Sequence, residues 1–123
     1  MSKFELKDVR VTDGFFSDYA ELVRTEVIPY QWEALNDRIP GAEKSGCIHN
    51  FRIAAGEEEG EFVGMVFQDS DLGKWLEAVA YSLTTHPDKK LEAIADDGAI
   101  KQVVQAVLDE HEAVIAQYKA CLL

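Results

Sequence analysis

The sequence predicts one mainly α-helical domain with a small β element, an α+β fold in which a helical bundle carries a hairpin at about residues 47–67. Three observations support this prediction. Apolar residues recur at helical spacing in several segments, Gly, Pro and Asp separate those segments, and two short apolar runs flank an acidic turn. A chain of 123 residues corresponds to a single domain, residues 1–123.

The first third of the chain predicts a short β-leaning segment followed by a helix. The segment covers residues 4–11 and should end at the turn signal Asp13-Gly14. A helix should begin near Ser17, and Pro29 should end or kink it because proline lacks the backbone donor. An apolar face that includes Trp32 continues to the stop signal Pro40-Gly41.

The hairpin prediction rests on two apolar runs, one containing Ile48, Phe51 and Ile53 and the other spanning residues 62–67. The acidic segment at residues 56–60 lies between them and carries a glycine at each end. Backbone groups in both runs need hydrogen-bond partners from within the chain, and a hairpin would supply them.

The last part of the chain predicts three helices. Ser70 or Asp71 should cap the first, which His86-Pro87 ends, and Asp88 should open a short second one. The third is a C-terminal amphipathic helix at residues 99–123, set apart from residues 1–98. Its apolar positions alternate in steps of four and three, the spacing of a heptad seam. The seam consists of Ile100, Val104, Val107, His111, Val114 and Tyr118. Such a seam either closes the core or pairs with a second copy of the chain.

The strong negative charge limits the classes of partner. The formal net charge is −11, from 23 acidic and 12 basic residues. Nucleic acid and anionic membranes should be repelled, whereas a basic protein should be attracted. The alternative is that the acidity serves solubility. The candidate acidic binding surface consists of Glu57, Glu58, Glu59, Glu61, Asp109, Glu110 and Glu112.

Cysteine and histidine do not predict a metal or catalytic centre. Cys47 and His49 are two residues apart, which is weak evidence, because structural zinc requires four ligands and the remaining candidates show no matching spacing. We therefore predict no metal, no cofactor and no catalytic residue. The chain start lacks the apolar core of a signal peptide, and no apolar run approaches the length of a membrane span. A cytoplasmic protein with reduced thiols is the resulting expectation.

Four sequence blocks resemble one enzyme family. In chain order they are Asp13-Gly14-Phe15-Phe16, Val27-Ile28-Pro29-Tyr30-Gln31-Trp32, Asn50-Phe51-Arg52-Ile53-Ala54-Ala55-Gly56 and Phe62-Val63-Gly64-Met65-Val66-Phe67-Gln68-Asp69-Ser70-Asp71-Leu72-Gly73-Lys74-Trp75-Leu76-Glu77-Ala78. Over residues 4–92 the chain resembles the N-terminal segment of the β-L-arabinofuranosidase family of glycoside hydrolases, family 127. The resemblance implies a helical (α/α) barrel, which in these longer enzymes carries added β domains.

The same resemblance predicts that the chain is not an enzyme by itself. The family's catalytic cysteine, its zinc-binding cysteine and glutamate partners and its general acid lie far downstream, and no position of this chain matches them. We therefore predict a truncated, non-catalytic acidic protein that acts by binding. The alternatives are an acidic inhibitor or nucleic-acid mimic that binds a basic nucleic-acid enzyme, and a self-associating helical scaffold.

Three features of the matched segment allow more than one interpretation. Asp69 and Asp71 could form an acid–base pair if their pKa values were driven apart, but capping of the helix is the favoured interpretation. Trp32 and Trp75 could stack on sugar rings, although both lie on apolar helical faces and predict core packing. Residues 100–120 are faintly similar to the tail domain of the glutamyl-tRNA amidotransferase B subunit. That second similarity implies a mosaic or designed chain.

Overall fold

The computed structural model describes residues 5–65 and 67–96, and these residues form helices without any strand. A 3₁₀ turn at Leu6–Asp8 comes first. Five α-helices follow: α1 (Gly14–Leu22), α2 (Ile28–Leu35), α3 (Cys47–Ala54), α4 (Ser70–Thr85) and α5 (Lys89–Ala95). A π-helical segment, Val23–Val27, joins α1 directly to α2. The prediction of a mainly helical fold is confirmed, and the predicted β element is wrong within the described residues.

The core lies between α2 and α4, with contributions from α3 and α5. Trp32 of α2 and Trp75 of α4 stack with their ring centroids 4.6 Å apart. The indole N–H of Trp75 donates to the carbonyl oxygen of Ile28 at 2.9 Å. The predicted core position of both tryptophans is confirmed. The buried apolar side chains are Ile28, Trp32, Leu35, Cys47, Ile48, Leu72, Trp75, Val79 and Leu91.

Pro29 neither ends the helix nor breaks it, because the preceding turn widens. The N–H of Ile28 donates to the carbonyl of Val23, five residues back. In an α-helix the proline ring would clash with the carbonyl four residues earlier, that of Thr25. A π-helical turn holds one additional residue and moves that carbonyl out of line. The π-helical segment Val23–Val27 therefore accommodates Pro29, and the helix continues through it.

The π-helical segment also decides which residues face the core. With uniform α-helical spacing, Arg24 would lie above Ile28. The additional residue brings Val23 into that position instead, and Val23 packs against the core. Arg24 pairs with Glu21 on the helix surface at 2.5 Å. One residue of added helix thus keeps a charged side chain out of the core.

The predicted hairpin at residues 47–67 is wrong because its first run is α3. Gly46, at φ 65°, begins the helix, and Gly56, at φ 74°, ends it. Beyond the helix, the N–H of Glu57 bonds to the carbonyl of Arg52 and that of Gly56 to the carbonyl of Ile53, a Schellman ending. The acidic turn of the predicted hairpin is therefore the C-terminal end of a helix.

The C-terminal amphipathic helix lies outside the described residues, with all six seam positions: Ile100, Val104, Val107, His111, Val114 and Tyr118. Its assignment and the division at residue 98 stay predictions. In the part of the chain that the structure describes, no helix is both long and apolar enough to cross a bilayer.

Replacing Trp75 tests the α2–α4 packing. Trp75→Ala should lower the free energy of unfolding by about 3–5 kcal/mol, because it leaves a cavity beside Trp32. Trp75→Phe keeps an aromatic ring but removes the indole N–H that donates to the Ile28 carbonyl. This lost hydrogen bond should lower the free energy of unfolding by about 1 kcal/mol, in addition to the effect of the smaller ring. Tyr81→Phe, at an exposed position of α4, is the matched control and should stay within about 0.5 kcal/mol. Urea unfolding measures all three, and an unchanged midpoint for Trp75→Ala would contradict the described core.

Candidate functional site

The best-defined polar cluster is a junction that joins α3, the loop at residues 56–69 and the start of α4. We call Asn50, Val63 and Asp69 the Asn50 junction. The side-chain amide of Asn50 donates to the carbonyl of Val63 at 2.8 Å and to the Asp69 carboxylate at 3.0 Å. Its carbonyl oxygen accepts the N–H of Val63 at 2.9 Å. One buried side chain thus both donates to and accepts from the loop backbone, as the backbone of a neighbouring strand would.

Two glycines allow the chain to approach itself closely at this junction. Gly46 lies against Val63, and a Cβ at position 46 would collide with the Val63 side chain. Gly64, at φ 79°, would collide with the Gln68 amide if it carried a side chain. The Gln68 side chain instead accepts the N–H of Met65 at 2.6 Å. Both positions therefore require glycine because a side chain would collide with a neighbour. The alternating apolar pattern of the sequence does not indicate this requirement.

A second carboxylate stabilises the start of α3. Asp37 has φ 59°, an unusual conformation for a residue with a side chain, and it follows the last turn of α2. Its Oδ1 accepts the backbone N–H groups of Ser45 at 2.6 Å and Gly46 at 3.2 Å. A carboxylate at this end of a helix bonds free donors and complements the helix dipole. Asp37 thereby connects the end of α2 to the beginning of α3.

Asp69 and Asp71, the predicted carboxylate pair, have separate partners. Asp69 is the residue before α4, makes no side-chain cap and bonds to Asn50. Asp71 lies in the first turn and pairs with Lys74 at 2.8 Å. The predicted capping by Ser70 or Asp71 is wrong, because the Ser70 hydroxyl donates to the carbonyl of Phe67 instead. The two carboxylates do not act on one shared proton in this arrangement.

Cys47 lies beneath the junction and is unsuited to nucleophilic chemistry. It is fully buried, and its Sγ is 3.9 Å from the carbonyl oxygen of Asp69. Burial, with the nearby carboxylates of Asp69, Asp71 and Asp37, raises the pKa of the thiol to about 11. A protonated thiol is neither a good nucleophile nor a good metal ligand.

The acidic residues at 57–61 do not form one free surface. Glu58 accepts from Arg52 at 3.1 Å and lies 2.8 Å from His49 Nδ1. These hydrogen bonds, that of His49 first, hold the pKa of Glu58 below its usual value. Glu57, Glu59 and Glu61 are exposed. The remaining predicted residues, Asp109, Glu110 and Glu112, lie outside the described residues, and a basic protein partner stays a prediction.

An open cleft of about 500 Å³ lies between α2 and α4, beside the junction. Leu35 and Trp75 form its floor, and Gln31, Ser45, Asp71 and Lys74 supply polar groups. Apolar walls with a few polar groups are typical of small-molecule sites. Because Trp75 is 2% exposed, its ring cannot serve as a stacking platform.

Asn50 and Asp37 are organising residues that were not predicted from the sequence. Asn50 lies three positions from both Cys47 and Ile53, which is the spacing of one helical face, and a polar residue on an apolar helical face indicates a buried hydrogen-bonding role. Asp37 follows Asn36, and these two residue types are the ones that most readily adopt positive φ outside glycine. Neither signal identifies the partner.

Replacing Asn50 should release the loop. Asn50→Leu removes three hydrogen bonds and leaves the Val63 backbone without partners, which should cost about 2–4 kcal/mol of unfolding free energy. Asn50→Asp removes both amide donors and places a second carboxylate beside Asp69, so it should also destabilise the fold at pH 7. Urea unfolding and chymotrypsin cleavage at Phe62 or Phe67 measure the two effects. Gln31→Leu, which removes an exposed amide, is the control. If Asn50→Leu were cut no faster than the control, the junction would not hold the loop.

Glu58 should add a pH-dependent contribution to stability. Its folded pKa lies below the ordinary value of 4.5, so the contribution is complete above that pH and is lost as the pH falls through the folded pKa. Glu58→Gln should therefore lower the Tm at pH 7, and its Tm difference from the unsubstituted chain should be smaller at pH 3 than at pH 7. Glu59→Gln, at an exposed position, should show no such convergence. Equal Tm differences at both pH values would contradict this role.

Comparison with known proteins places the chain within a glycosidase domain. The family model described as the GH127 catalytic domain of β-L-arabinofuranosidase matches residues 8–108. A curated relative, the non-reducing end β-L-arabinofuranosidase of Bifidobacterium longum subsp. longum, is 42% identical over 101 residues, covering 72% of this chain and 15% of the relative. The crystal structure of Ara127N-Se, a GH127 β-L-arabinofuranosidase from Geobacillus stearothermophilus T6, is 63% identical with a TM-score of 0.75. That match covers 80% of this chain and 15% of the Geobacillus chain.

These matches confirm the predicted family and correct the predicted function. The family match continues to residue 108, beyond the limit near residue 92 and into the region assigned to a second, unrelated similarity. The predicted function, an independent acidic binding protein with inhibitor and scaffold as alternatives, is wrong, because both relatives are glycoside hydrolases of which the chain spans 15%. From residues 8–108 and from the shared fold, the chain belongs to the β-L-arabinofuranosidase family of glycoside hydrolases, family 127.

Proposed function

We propose that the chain forms part of a β-L-arabinofuranosidase catalytic domain and takes part in releasing terminal β-L-arabinofuranosyl residues when that domain is complete. The observation that carries the proposal is the fold shared with the Geobacillus enzyme at 63% identity. The Bifidobacterium relative, by its name, acts at non-reducing ends. Identity at this level, with four blocks in the same order, supports the same substrate class.

Hydrolysis by the chain alone is not part of the proposal. Glycoside hydrolysis needs an acid and a nucleophile or base on the two sides of the scissile bond. In the described residues, the Asp69 carboxylate is bonded to Asn50, Asp71 is paired with Lys74, and the Cys47 thiol is buried and protonated. In the enzymes that the chain resembles, we expect the catalytic groups to lie far downstream of the matched segment. The remaining part of the domain should therefore supply the reacting groups.

The chain's own contribution is to build one wall of the domain. The Asn50 junction fixes the loop at residues 56–69, whose apolar side chains Phe62, Met65 and Phe67 are between 63% and 67% exposed. This loop is held by a buried amide and exposes apolar side chains. Such an exposed apolar surface is typical of a protein contact and not of a surface that faces water. The cleft beside it presents Gln31, Asp71 and Lys74, groups that suit hydrogen bonds to sugar hydroxyls.

A hybrid protein tests this proposal. Residues 1–108 of the chain replace the matching part of the Geobacillus enzyme, and an aryl β-L-arabinofuranoside reports turnover with and without added zinc. The hybrid should hydrolyse the substrate, whereas the chain alone and the Geobacillus enzyme without its matching part should not exceed a heat-inactivated control. A folded but inactive hybrid, or turnover by the chain alone, would contradict the proposal.

A further inference from the structure

Helix α1 exposes an aromatic face that the described residues leave uncovered. None of its nine residues is buried. Phe15 is 71% exposed, Phe16 61%, Tyr19 60% and Leu22 48%. The Phe15 ring lies edge-on to Phe16 at 5.3 Å and stacks with Tyr19 at 6.3 Å, so these rings already form a cluster. A contiguous exposed apolar patch of this kind marks an interaction surface.

The aromatic face continues the core stripe of α2. The π-helical segment aligns Val23 with Ile28, and one turn earlier Ala20 and Tyr19 extend the same line toward Phe16. The part of the stripe on α2 is covered by α4, whereas the part on α1 is exposed. Among the described elements, α1 packs extensively only on the π-helical segment that continues it. The packing layer formed by α2 and α4 is therefore open at the α1 end.

The chemistry of the two sides of α1 limits what can cover it. Asp18 and Glu21 lie on the helix but outside the aromatic stripe, and Glu21 is paired with Arg24. The uncovered stripe is apolar and carries no charge, so it fits an apolar helical surface better than a basic one. The family match includes α1 as part of the catalytic domain, while 85% of the Geobacillus chain has no counterpart here.

We infer that the aromatic face of α1 is the surface on which the remaining part of the catalytic domain docks. The occupant is an apolar surface of that same domain, and it extends the α2–α4 layer past the end of α4. Phe16 and Tyr19 lie at the centre of the contact, with Phe15 and Leu22 beside them. This inference rests on the proposed function, since the occupant is the part of the enzyme that completes the domain.

The experiment compares one double substitution in two settings. Phe16→Ser with Tyr19→Ser is introduced into the full chain and into the active-domain hybrid described above, with Phe16→Ala as a milder variant. In the full chain both side chains are exposed, so the Tm should change by less than about 1–2 °C. In the hybrid they should be buried, so the Tm should fall by at least about 4 °C. Asp18→Ser, on the same helix, should leave the Tm unchanged in both settings.

The outcomes separate this inference from the proposed function. An active hybrid whose Tm is insensitive to both variants would overturn the docking surface and leave the proposed function intact. An inactive hybrid that is destabilised only by the α1 variants would support the surface and overturn the function. Light scattering on the full chain tests a second copy as the occupant: a dimer that the double variant dissociates would assign the face to that copy and overturn the inference. A Tm fall in the full chain as large as that in the hybrid would assign the face to this chain's own residues and would also overturn the inference. A hybrid that does not fold would overturn both.

Discussion

The contact between Trp75 and α2 is the interaction on which the rest of the structure depends. Its indole N–H bonds to the Ile28 carbonyl, and its ring stacks on Trp32, so one side chain fixes both the distance and the rotation of α4 against α2. The bond to Ile28 requires that residue to face α4, and the π-helical segment before Pro29 keeps Val23 in line with it. Because α4 begins at the Asn50 junction, the position of the loop follows from the same contact.

The Asn50 junction shows how an irregular loop is held without secondary structure. Backbone groups near a protein interior need partners, and here a side-chain amide supplies both a donor and an acceptor to Val63. Its other N–H donor bonds to Asp69, so one side chain connects the loop to the residue before α4. A hydrogen-bonded loop that displays Phe62, Met65 and Phe67 is the expected form of a segment built into a larger domain.

The pattern of burial agrees with the comparison in which the chain spans 15% of each longer relative. α2 and α4 bury a complete apolar face, whereas α1 buries none of its residues. Isolated helices of this length are marginal in water, so α1 depends on α2, which it continues, and on whatever covers its aromatic face. Part of the acidity that suggested an independent binding protein has local roles, as the hydrogen bonds of Glu58 and Asp37 illustrate.

By itself the sequence determined the family, the helical class, the helices at Trp32 and Trp75 and their core-facing sides, because blocks of specific residues and helical periodicity are local features. It misassigned α3 as a strand, since Ile48, Phe51 and Ile53 fit either period over so short a run. Only the tertiary structure decided between helix and strand for this run. The deciding contacts join Asn50 to Val63 and Asp69, and Trp75 to Ile28, at separations of 13, 19 and 47 residues. No local pattern records such pairings, because they form only when the helices pack.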